Sequence, residues 1–142
     1  MRNPTPLPPN GPITAATFAT QRPGTVFPAT SRAAATYDSQ EYHNLGACGL
    51  QLVVDVNDVG GAGTVTVSVL ARDPATGLFV PLPDATTAAI AVASQVVLSV
   101  HPALTEDAAD VNISVLLPHA FKVRAVVGGN AVDFSVGGTL LP

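Results

Sequence analysis

From residue 33 onward the chain alternates apolar and polar residues in short runs separated by Gly, Pro and Asn, which is the period of half-buried β-strands. "GLQLVVDVN" sets Leu50, Leu52, Val54 and Val56 on one face and Gln51, Val53 and Asp55 on the other. "TVTVSVLARD" alternates Thr64, Thr66 and Ser68 against Val65, Val67 and Val69. In the turn that follows, Pro74 presets the bend and Gly77 supplies the positive φ that closes a hairpin. The next run, 78–82, is interrupted by Pro81 and is predicted to be an edge strand. A strand is predicted over 94–101, ended by Pro102, and then a connection over "EDAAD" and 112–117 with room for one helical turn. "HAFKVRAVV" alternates Phe121, Val123, Ala125 and Val127 against Lys122 and Arg124; "AVDFSV" alternates Val132, Phe134 and Val136 against Asp133 and Ser135. With Gly128, Gly129 and Asn130 between them, these two runs read as a hairpin. Seven or eight strands without an amphipathic helix predict an all-β fold, a single antiparallel β-sandwich, Ig-like or jelly-roll-like, over residues 33–142. The alternation leaves the strand order open.

Residues 1–32 show neither period. They hold seven of the thirteen prolines, and Pro4, Pro6, Pro8, Pro9 and Pro12 fix φ and remove amide donors, which predicts an extended, polyproline-like arm rather than a central strand. At full extension such an arm spans about 100 Å. Ile13, Phe18, Val26 and Phe27 punctuate it with apolar anchors that a purely solvating linker does not need.

Charge sharpens this division. Arg2, Arg22 and Arg32 give residues 1–32 a charge of +3 with no acidic residue, while residues 33–142 carry three basic and ten acidic groups, a net −7. An acidic body without a clustered Lys/Arg face speaks against nucleic acid as its partner. No run of eighteen uninterrupted apolar residues is present, so no membrane span is expected. The core is built from Val, Leu and Ala with five Phe, two Tyr and no Trp, which suits sheet packing better than a large ligand cavity.

Few residues suggest chemistry. Cys48 is the single cysteine, which excludes an intramolecular disulfide, and at the start of a strand it reads as a buried structural thiol. His43, His101 and His119 lack the spacing that aims two imidazoles at one metal. "YDSQEYH" gathers Asp38, Glu41 and His43, yet in a strand Glu41 and His43 share a face while Asp38 points away, so a solvated or interface strand is the expectation. Glu106, Asp107 and Asp110 lack the ligand alternation and glycine of a calcium loop. "GGAG" at 60–63 joins two strands and has no helix N-terminus to cradle a phosphate. No catalytic residue, cofactor or metal is expected.

The segments "ARDPATGLFVPL", "VLSVHPAL", "LLPHAFKVRAVV" and "AVDFSVGGTLL", spread over residues 64–141, resemble a family of small structural proteins encoded by tailed bacteriophages. That resemblance implies a non-enzymatic virion protein made in the host cytoplasm and carries no catalytic residues with it. Within the family, the arm and charge split point to a capsid decoration (cement) protein on the outer surface of the phage head. Its partner would be the major capsid protein, and self-association, with a trimer favoured, is expected. On this reading Ile13, Phe18, Val26 and Phe27 fill capsid pockets, while Arg22 and Arg32, with Arg2, meet carboxylates on the shell. A head-tail connector, tail or receptor-binding accessory protein is the alternative virion role, and a carbohydrate-binding β-sandwich module is the alternative outside the virion.

Overall fold

The alternating runs form strands in a computed structural model that describes residues 23–105 and 111–142. The strands are β1 (Thr25–Arg32), β2 (Ala35–Asp38), β3 (Tyr42–His43), β4 (Gly49–Asp58), β5 (Thr64–Arg72), β6 (Phe79–Thr86), β7 (Ser94–Val100), β8 (Val111–Ile113), β9 (Ala120–Gly128) and β10 (Val132–Leu141). They make two packed sheets, one in the order β1-β10-β4-β7-β8 and the other in the order β2-β9-β5-β6, with β3 also paired to β9. No helix occurs among the described residues. The fold is the all-β sandwich that the periodicity predicts. Every strand pair is antiparallel except β7 with β8, which lies in the stretch read as a connection.

Alternation decides what is buried. Leu50, Leu52, Val54 and Val56 of β4, with Val132, Phe134 and Val136 of β10, face Val65, Val67 and Val69 of β5 and Phe121, Val123, Ala125 and Val127 of β9. Each Val, Leu or Phe among them contributes about 1.5–3 kcal/mol by leaving water. Pro81 lies in β6, at the edge of its sheet, where a missing amide donor costs no ladder bond. The hairpin joining β5 to β6 closes as its residues require: Gly77 has φ 75°, its amide donates to the Asp73 carbonyl (2.7 Å), and the Asp73 carboxylate accepts from the Ala75 amide (2.9 Å) and the Thr76 hydroxyl (2.7 Å).

Two expectations change. First, β9 and β10 are not a hairpin: they belong to different sheets, and residues 129–131 carry the chain across the sandwich. The β4–β5 connection crosses at the same end, and the two crossings touch, with the Asn130 side-chain amide donating to the Gly60 carbonyl. A Gly-Gly-Asn turn has the same composition whether it folds back within a sheet or passes between sheets. The difference lies in the partners of the strands, which local sequence does not encode.

Second, the arm does not extend to residue 32. Residues 25–32 form β1, antiparallel to β10, with Thr25 opposite Gly137 and Arg32 opposite Val132. Pro28 is accommodated because β1 is an edge strand and its register shifts on both sides of Phe27, so a bulge takes up the residue that lacks a donor. Val26 and Phe27 are buried in the core, and the Phe27 ring meets Phe134 edge to face at 6.2 Å.

Candidate functional site

Of the six residues expected to bind a partner, Ile13, Phe18 and Arg22 lie outside the described residues. Val26 and Phe27 cannot fill pockets on another protein, because they fill this one. Arg32 is likewise committed within its own chain. Its guanidinium lies 4.6 Å from the Phe134 ring centroid and 5.5 Å from that of Phe27, and it donates to the carbonyls of Phe134 (3.0 Å), Thr30 (3.3 Å) and Pro28 (2.7 Å). It ties the bulged strand to the sheet.

The chain enters the sandwich beside an open strand edge. The Gly138 amide donates to the Gly24 carbonyl (2.8 Å), and β10 then continues to Leu141, paired on its other side with Gly49 of β4. No described residue pairs with the β1 side of residues 139–141. A cleft of about 470 Å³ opens there, walled by Pro23, by Asn44, Leu45, Gly46 and Ala47, and by the end of β10. Its rim is the turn that Ala47 closes by donating to the Asn44 carbonyl (2.8 Å). Leu45, with φ 51°, is half-exposed at that rim in a backbone region that side chains other than Asn or Asp seldom enter.

The second sheet separates the residues of "YDSQEYH". Ser39 interrupts the strand, exchanging hydrogen bonds with the Val123 main chain: its amide donates to the Val123 carbonyl (2.8 Å) and its hydroxyl accepts from the Val123 amide (2.9 Å). Asp38, before the break, takes two hydrogen bonds from Arg124, at 2.7 and 3.0 Å. Glu41 and His43, after it, share a side as the alternation implies, with Glu41 Oε2 3.4 Å from His43 Nε2. The pairings of His43 with Ala120 and of Ala71 with Phe121 flank the start of β9, and so bring Arg72 and His119 to the same place. Arg72 Nη1 lies 3.5 Å from Glu41 Oε1, and the His43 and His119 rings lie tilted at 35° with centroids 5.3 Å apart. Sequence separation hid this cluster.

The Asp38 pair has a measurable pH signature. Hydrogen bonding from Arg124 holds the Asp38 carboxyl below the usual carboxylate range. A carboxyl whose folded pKa lies below its unfolded value adds stability above the unfolded pKa, and that stability disappears as pH falls through the folded one. Both side chains are about a third exposed, which limits the effect to ~1 kcal/mol at most. Asp38→Asn is therefore expected to cost up to that amount at neutral pH in urea titrations, and the difference should start to shrink only as pH falls below about 4 and vanish below the lowered folded pKa.

The remaining candidates are structural. His101 accepts from the Ala103 amide at Nδ1 (3.0 Å), which places its proton on Nε2, 2.8 Å from the Pro142 carbonyl. Cys48 is half-buried rather than buried, because it lies in the loop before β4; its amide donates to Leu141 (3.0 Å) and its carbonyl accepts from Leu117 (2.9 Å). No group of three or more His, Cys, Asp or Glu side chains among the described residues is placed to hold a metal ion. Glu106, Asp107 and Asp110 lie outside the described residues. Tyr42, Phe121 and Phe134 are buried, and the half-exposed Tyr37 and Phe79 stand on β2 and β6, the two outer strands of their sheet, too far apart to form one aromatic platform. No protein-family model matches the chain, and no curated protein matches it.

Proposed function

We propose that the protein is a non-enzymatic structural protein of a tailed-bacteriophage virion, a capsid decoration protein that binds the major capsid protein through residues 1–22 and stands on the outer surface of the head. The observation that carries this reading is the junction at Pro23: the Pro-rich, basic segment leads directly into an edge strand clamped by Val26, Phe27 and Arg32. A pull on residues 1–22 along β1 loads the β1–β10 ladder in shear, so its hydrogen bonds resist together. Such an attachment suits a protein that holds subunits against internal pressure. Ile13 and Phe18 are the apolar anchors left for the shell, since a few buried aromatic and aliphatic side chains carry most of an interface's energy.

Self-association into a trimer belongs to the same proposal. The edge strand β1 carries Pro28 and bulges, and the edge strand β6 carries Pro81 and Pro83, devices that discourage further pairing. Residues 94–97 of β7 have neither, and no described residue pairs with their outer side, which leaves that edge for a second copy. An image reconstruction of virions of a phage that encodes the protein tests both points. Three-lobed density repeated over the whole shell is expected. Density at a single vertex would make it a connector or tail protein, and particles without it would end the virion reading.

A further inference from the structure

Two ion pairs on the second sheet differ in kind. Arg124 grips Asp38 with both arms of its guanidinium at hydrogen-bond distance, which satisfies each group. Arg72 meets Glu41 only at 3.5 Å, and Glu41 meets His43 only at 3.4 Å, both beyond the 2.7–2.9 Å of a well-made charge-assisted bond. A guanidinium has five N–H donors, and one long contact on a side chain that is 48 % exposed uses few of them. Glu41 thus sits beside Arg72 and His43, whose ring meets that of His119, without being held tightly by either.

Beside this cluster opens a cleft of about 420 Å³ walled by Arg72, Pro74, His119 and Ala120. One wall is stiff, because the turn that presents Pro74 is closed by the bonds from Ala75, Thr76 and Gly77 to Asp73. The bonds from Ala75 and Thr76 occupy the Asp73 carboxylate, which makes no ion pair with Arg72. The cleft therefore combines under-used cationic and N–H donors with a small apolar surface from Pro74 and Ala120.

We propose that this cleft binds a carboxylate carried on a peptide segment of a partner protein. Arg72 and His119 hold the carboxylate, Pro74 and Ala120 take an adjoining apolar side chain, and Glu41 is the internal carboxylate that the ligand displaces. The site goes beyond the virion reading and does not depend on it. Titrating the isotope-labelled full chain with the blocked peptide Ac-Ala-Leu-Glu-Ala-NH2 tests it by NMR. Saturable shifts are expected at the Ala120 amide and the His43 and His119 rings, with none from the peptide carrying Gln in place of Glu. Arg72→Gln should weaken binding about fivefold, and Glu41→Gln should strengthen it about fivefold, the size an exposed charge pair supports. Both residues are on the surface, and an unchanged thermal transition confirms that the variants fold. Equal binding of the Glu and Gln peptides, or weaker binding by the Glu41→Gln variant, would overturn the proposal. Tighter binding of inorganic phosphate than of the Glu peptide would overturn its assignment to a carboxylate.

Discussion

Removing residues 1–32 is expected to unfold the sandwich or leave it barely stable, whereas removing residues 1–22 should preserve its cooperative transition. The longer deletion takes away β1, and with it Val26 and the Phe27 ring that covers Phe134. Losing a buried Phe costs about 3–5 kcal/mol and a buried Val about 1.5–3 kcal/mol, together a large share of the roughly 5–15 kcal/mol that stabilises a domain. It also bares the edge of β10, a fresh template for aggregation. The shorter deletion keeps every described strand of both sheets. Urea titrations followed by circular dichroism distinguish the two. A 33–142 fragment that melts within a few degrees of the full chain would show that β1 is an accessory to the core and not part of it.

The second large effect is expected at the meeting of the two sheet crossings. Gly129 has φ 70°, and a Cβ there would stand 2.3 Å from the Ala62 carbonyl oxygen, a main-chain atom that cannot rotate away. Gly129→Ala should cost about 2–4 kcal/mol, from left-handed backbone strain plus separation of the two loops. Gly46→Ala provides the matched control: φ is 83°, but nothing lies within 4 Å of the added methyl, so only the backbone cost of about 1 kcal/mol remains. Equal losses at the two positions would mean that the crossings do not pack as closely as their geometry implies.

These cases also mark where sequence is a good guide to this fold. Alternation placed Leu50 to Val56 and Phe121 to Val127 correctly, because side-chain direction in a strand depends only on the residue's own position. The turn at Asp73 was legible for the same reason: its bonds are all local. What failed was what depends on a distant partner. Residues 25–32 read as the end of an extended arm until β1 is known to be an edge strand, and Gly129 reads as a hairpin turn until β10 is known to lie between β1 and β4. β2, β3 and β8 are too short to show a period. The cluster of Glu41, His43, Arg72 and His119 arises from the register of three strands, and no single segment contains it.

The place of β10 also sets the order of events during synthesis. This strand follows every other described strand in the chain, and it pairs on one flank with β1 and on the other with β4. Until it emerges, Val26 and Phe27 have no sheet to enter and β4 has only β7 beside it. The sandwich therefore closes only after translation has passed residue 141, the end of β10. A chain waiting so long for the strand that joins β1 to β4 exposes its apolar edges throughout, which makes slow elongation a hazard.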